Sequence, residues 1–189
     1  MKKFLQFSGL IAAVIAIAGF VLMMACPSVK DPVYIGEKLL GTIVIPGTSG
    51  IFGGDWPSTG NATVDAVLKY FGATINPTPS AIIAFVLMIV GMAILVIGAI
   101  LPILKIKALN KFAGLLNLIA VLALVAAGVL IFVQIPCFLG AQAAEGSEVS
   151  TEGWKLGAGW LIAGICAIVA GVLAIAPAFA DFLAKGKKK

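Results

Sequence analysis

The chain has no arginine and no histidine, and its 13 basic residues are all lysine. Without imidazole, the zinc sites and catalytic triads that depend on it are excluded. Without guanidinium there is no bidentate recognition of phosphate, so a net charge of +5 does not make nucleic acid an expected partner. Charge of either sign is scarce. Only 11% of the 189 residues are charged and 61% are apolar, with a mean hydropathy of +1.15. A soluble domain carries about 25% charged residues on its surface, so this chain needs lipid as its solvent.

Charge is scarcest in four long runs, Phe4 to Ala25, Ala81 to Leu104, Phe112 to Val133 and Leu156 to Ala180, which hold no Asp, Glu or Lys at all. Buried ionisable groups mark most proton relays, ion-coupled carriers and voltage sensors, and those mechanisms lose their support here. The glycine-rich stretch Gly47 to Gly54 lacks the Gly-Lys-Ser/Thr ending of a phosphate loop. No enzyme activity, cofactor or metal is expected.

What is present is membrane architecture. A helix crosses the hydrocarbon core with about 20 apolar residues, because lipid leaves no backbone group a partner. The four runs meet that length and predict an all-α membrane protein, a four-helix transmembrane bundle in one domain covering residues 1–189. Nine lysines (Lys2, Lys3, Lys105, Lys107, Lys111, Lys185, Lys187, Lys188 and Lys189) flank one side against the single acid Asp181. The other side holds Lys30, Lys38, Lys69 and Lys155 among seven acids. The positive-inside bias puts both termini and the turn 105–111 in the cytoplasm of a multi-pass cell-membrane protein. Trp154 and Trp160 fall at the outer end of span four, where an aromatic belt is expected. Span one has a competing reading as a cleaved or lipidated leader, since Met23-Met24-Ala25-Cys26 follows a basic start. Its length of about 22 residues favours a retained span.

Small residues predict how the spans meet, because helices in lipid associate by close packing. Gly159, Ala163, Ala167 and Gly171 recur every four residues in span four, and Ala84, Gly91 and Gly98 every seven in span two. Gly9, Ala12, Ala13 and Ala16 line span one. Asn117 in span three reads as an interhelical hydrogen-bonding group. Pro102 and Pro177 stand near the cytoplasmic ends of spans two and four as candidate kinks or hinges.

The outer segment 26–80 predicts a small extracellular strand-plus-helix cap. Lys38 to Ile45 is rich in β-branched residues and ends at Pro46-Gly47, which reads as a strand and turn. Gly50 to Gly54 reads as a second strand or tight loop. Val64, Val67, Leu68 and Phe71 follow helical spacing behind Asn61 as cap, with an apolar face expected on the bundle rim. Asn61-Ala62-Thr63 also fits a glycosylation acceptor. The second outer segment, 134–155, carries Glu145, Glu148 and Glu152 and reads as a solvated acidic loop. Cys26 and Cys137, at the outer exits of spans one and three, are a candidate disulfide. Cys166 reads as a small apolar residue within span four.

In span count, in a large first outer segment and in inside termini, the chain resembles claudin-like tetraspan proteins. It departs from their signature at Gly53-Gly54-Asp55-Trp56-Pro57, where no cysteine pair follows the Trp. It also resembles uncharacterised four-span membrane proteins of low-GC Gram-positive bacteria. Gly47-Thr48-Ser49-Gly50-Ile51-Phe52-Gly53, the Lys-rich inner turn and the Gly/Ala-rich last span carry that likeness. Neither resemblance implies an activity. The expected function is a non-enzymatic scaffold or accessory subunit, working through lateral helix contacts with other membrane proteins or copies of itself and through its cap. The alternative is a passive pore or transporter for a small neutral or apolar solute.

Overall fold

A computed structural model of the protein describes residues 2–35, 38–71, 74–104, 113–143 and 152–186. The chain runs α1 (Lys2–Ala25), β1 (Pro27–Ile35), β2 (Lys38–Pro46), α2 (Gly47–Phe52), β3 (Gly54–Asp55), α3 (Ala62–Phe71), β4 (Thr74–Ile75), α4 (Pro79–Leu104), α5 (Ala113–Phe132), α6 (Gln134–Gln142), β5 (Lys155–Leu156) and α7 (Ala158–Gly186). Four of these helices are long and apolar enough to cross a membrane, through Phe7–Ala25, Pro79–Gly98, Gly114–Phe132 and Ala158–Ala176. The chain is therefore mostly helical with a strand-bearing insertion between the first two spans, and it reads as a multi-pass membrane protein.

Contacts group the chain into two compact units. The first comprises residues 1–20, 84–129 and 164–189 and is built from stretches of α1, α4, α5 and α7. Its burial is the inverse of a water-soluble core. Ala12, Ala13 and Ala16 of α1, Ala120, Ala123 and Ala127 of α5, and Ala167, Ala170 and Ala174 of α7 are buried. Many large side chains point out, with Phe7 65% and Leu122 64% exposed, while Met88, Leu95 and Leu124 join the alanines inside. Small side chains let backbones approach, while the bulky ones dissolve in acyl chains. Phe20 and Phe85 add a tilted ring contact with centroids 5.6 Å apart.

The second unit comprises residues 21–83 and 130–163 and holds the cap. Its sheet has the order β2-β1-β5, antiparallel throughout. β1 carries Pro27 and Pro32 and so hides from strand-reading by composition. It tolerates Pro32 because β5 pairs only with Val29 and Lys30, which leaves the rest of that edge open and in no need of an amide donor. The strand predicted at Lys38 to Ile45 is β2, one residue longer. The second strand or loop expected at Gly50 to Gly54 is instead mostly the short helix α2, followed by a two-residue strand pairing with β4. Residue 134 onward also differs from the expected loop, because α5 gives way at Val133 and α6 follows directly. Pro136 is compatible with that helix because it lies in the first turn, where its missing amide had no intrahelical partner. Glu145 and Glu148 lie outside the described residues, and Glu152 is exposed in a turn.

The core of the cap gathers Val29, Ile43 and Ile45 from the sheet, Val64 and Leu68 from α3, Ile75, and Phe138 and Leu139 from α6. Val64 and Leu68 of the predicted apolar face of α3 are thus turned into the cap's own core, and the side chains of Val67 and Phe71 lie outside the described ones. Asn61 starts this helix as predicted from its position. Its Oδ1 accepts from the amides of Thr63 (3.0 Å) and Val64 (3.4 Å), and its Nδ2 donates to the Leu40 carbonyl (3.1 Å). One side chain therefore caps α3 and ties it to β2. Asn61→Ala is expected to lower stability by about 1–2 kcal/mol. Asn61→Asp, which keeps the cap but not the tie, is expected to lose less in the same thermal unfolding measurement.

Candidate functional site

The best-defined polar construction lies in the second unit, where α1 ends, α2 begins and α7 starts. A helix leaves its last carbonyls without partners, and in apolar surroundings that cost must be met. At the end of α1 the Met23 carbonyl accepts from the Trp160 indole Nε1 at 2.7 Å. Trp160 is fully buried and its ring fills the space beside that carbonyl. Gly47 closes the same junction, because a Cβ there would meet the carbonyl oxygens of Met23 and Cys26 (2.6 Å) and the Trp160 Nε1 (2.8 Å). Trp160 thus spends its indole N–H on a main-chain carbonyl, and half-buried Trp154 packs on the cap core, its ring 5.8 Å from that of Phe138.

Around α2 sits a buried polar group. Gln134, fully buried, accepts from Ser80 Oγ at 2.9 Å, and Ser28 Oγ donates to the Ile45 carbonyl at 3.2 Å. The Thr78 amide donates to Gly50 O at 3.1 Å. Thr78 Oγ1 and Gln134 Nε2 are buried without a hydrogen-bond partner. These side chains are spread over β1, α4 and α6 in sequence, so no local pattern announces them. A second polar knot fixes β4 to α6. Gln142 Oε1 accepts from the Asn76 amide and its Nε2 donates to the Asn76 carbonyl, both at 2.8 Å.

The cap also carries a cleft of about 190 Å³ lined by Trp56, Pro57, Ser58, Asp65 and Leu68. Asp65 is not a free carboxylate. Ser58 Oγ donates to Oδ2 at 2.6 Å, and the Thr59 amide and hydroxyl both donate to Oδ1 at 2.7 Å. Asp65 thereby folds the 58–59 turn over the first turn of α3, a structural use of the group near a helix N-terminus.

On β1, alternation sends Val29 and Asp31 to the core face of the sheet and Lys30 to the other. Asp31 sits at the rim of that face, its Oδ1 2.5 Å from where a Cβ on Gly153 would stand. Gly153 holds φ +88°, a conformation suited to glycine. Desolvation by burial raises the Asp31 carboxyl above its ordinary 3.8. The folded state thus holds this proton more tightly than the unfolded chain does. Its cost to stability is full above the raised value and is relieved as pH falls through it. Asp31→Asn is expected to stabilise the protein at neutral pH and to remove that acid-side rise, read as melting temperature against pH.

The predicted packing residues lie on buried helix faces. Ala84, Ala163 and Ala167 are fully buried. A Cβ on Gly91 would fall 2.7 Å from Leu124 Cγ, one on Gly98 would fall 2.9 Å from Asn117 Oδ1, and one on Gly171 would fall 2.9 Å from Val125 Cγ2. Gly98 leaves room for the Asn117 amide. Gly159 is pressed against Cys26, whose Sγ would lie 2.7 Å from its Cβ. Cys26, Cys137 and Cys166 are free and half-buried, and the 26–137 disulfide is not formed. α4 and α7 run through Pro102 and Pro177 without interruption. The residues missed by sequence reading are Gly47, Gln134 and Gly157, the last donating its amide to the Ser28 carbonyl at 2.8 Å. Each acts through neighbours distant along the chain, and only the Gly-rich context of Gly47 hinted at tight packing. No protein-family model matches this chain, and no curated protein matches it.

Proposed function

We propose that the protein is a non-enzymatic scaffold or accessory subunit of the cell membrane, with both termini cytoplasmic and an extracellular cap. In this reading it works by lateral helix contact with other membrane proteins or with copies of itself. The observation that carries the reading is the burial pattern of the spans, whose inner faces are dominated by alanine and glycine with a few large residues such as Met88 and Leu124, while many large aliphatic residues lie outside. Such a surface offers lipid and partner helices dispersion contacts and no ionisable group. The cap, with its own core, supplies a second surface joined to the same spans.

The test is extraction in mild detergent after in-membrane crosslinking, followed by affinity purification and mass spectrometry. Recurrent stoichiometric co-purification of a membrane protein, or a defined oligomer, is the expected result. A lone monomer under every mild condition overturns the reading. Cysteine accessibility from either side of sealed cells tests the orientation independently.

A further inference from the structure

We infer that Lys30 and Lys155 form a binding site for the phosphate of an anionic phospholipid headgroup. The two residues are directly opposite each other in the antiparallel pairing of β1 with β5. Directly opposed residues project from the same face with Cβ atoms about 5 Å apart, and like charges so placed repel. The neighbouring pair, Val29 opposite Leu156, faces the cap core, so the register cannot slip by one residue to separate the lysines without exposing that pair. Both lysines are exposed, and among the described residues neither forms a salt bridge. The sheet therefore roots two lysine side chains side by side, with no salt bridge to either among the described residues, an arrangement an external anion relieves.

Position selects which anion. Lys155 precedes the first residue of α7, Ala158, by three positions, and α7 enters its apolar stretch there. Three residues of extended chain reach at most about 10 Å. The headgroup layer extends about 5–8 Å beyond the hydrocarbon on each side, so flexible lysine side chains reach the phosphate level. The next residue in the same row is Val44, opposite Lys30 and 38% exposed. It places an apolar side chain beside the charged pair, as the glycerol and upper acyl region of a lipid demands. A phospholipid monolayer thus meets charge with charge and apolar surface with apolar surface, whereas free phosphate uses only the first.

The experiment uses the full chain in nanodiscs of phosphatidylcholine alone or with phosphatidylglycerol, read by thermal unfolding. Phosphatidylglycerol is expected to raise the wild-type melting temperature by roughly 3 °C. Lys155→Glu converts the repelling pair to an attracting one. It is expected to raise the melting temperature in phosphatidylcholine and to remove the increment from phosphatidylglycerol. Lys30→Gln, milder and solvent-exposed, should remove most of that increment while remaining folded. Substituting Lys187, Lys188 and Lys189 by Gln should leave the cap-dependent difference in place, separating it from the basic tail. An increment unchanged in both Lys30→Gln and Lys155→Glu overturns the site. An equal increment from low-millimolar inorganic phosphate in phosphatidylcholine overturns the lipid as its ligand.

Discussion

Gly47→Ala is expected to destabilise the cap by about 3 kcal/mol or more, with loss of tryptophan signal from the core. The added methyl would have to share space with the carbonyls of Met23 and Cys26, which are main-chain atoms at and just beyond the end of α1. A side chain can rotate away from a new methyl, but these carbonyls move only with the backbone that carries them. The third neighbour is the Trp160 Nε1, which donates to Met23 O. Displacing the indole breaks that bond and strands a buried donor together with a buried acceptor, and displacing α2 breaks the bond from the Thr78 amide to Gly50 O. Each such orphan costs about 1–3 kcal/mol. Gly140→Ala supplies the opposite sign, since nothing lies within 4 Å of a Cβ there and the residue is helical. Alanine is the better helix former, and a gain of about 0.5–1 kcal/mol is expected. Intrinsic tryptophan fluorescence during thermal unfolding in one detergent distinguishes the two. Equal and small shifts in both variants would mean that the Gly47 junction is not closely packed.

How much of this was legible beforehand depends on the range over which each feature is encoded. The four long helices were legible because an uncharged run of about 20 residues has one economical solution in lipid. β2 was legible from its branched residues and α3 from apolar spacing behind Asn61, both local signals. β1 was not, because Pro27, Lys30, Asp31 and Pro32 suppress the strand signal and only the short reach of β5 makes them acceptable. α2 was hidden by its glycines, which are present for close approach to Ser28 and to the end of α1 rather than for turning. α6 was hidden by Gln134 and Pro136, whose placement depends on the break at Val133. Among the site residues, the buried faces of α4 and α7 could be read as small-residue spacing. The Trp160–Met23 bond joins positions 137 residues apart, and no periodicity encodes such a pair.

Gly159→Ala is the companion experiment, and it can be made reciprocal. The methyl at 159 would collide with the Cβ of Cys26 and approach its Sγ to 2.7 Å, while the Leu22 carbonyl stands 3.3 Å away. Here the obstruction is a side chain, so shrinking the partner should relieve it. Gly159→Ala alone is expected to cost about 2–3 kcal/mol. Cys26→Gly alone should cost about 1 kcal/mol through lost packing and added chain freedom. The double variant should be more stable than Gly159→Ala, with a coupling of at least about 1 kcal/mol in the cycle. Gly159→Leu should not be rescued, because a longer side chain still meets the Leu22 carbonyl. Additive losses would show that α7 shifts as a body instead of being held against position 26. The same geometry bears on the cysteines, since the Cys26 thiol is packed against α7 while Cys137 stands on α6. Mild oxidation of the folded protein, followed by peptide mapping, is expected to leave positions 26 and 137 uncrosslinked. A quantitative 26–137 bridge formed without loss of stability would place the thiol elsewhere than against Gly159.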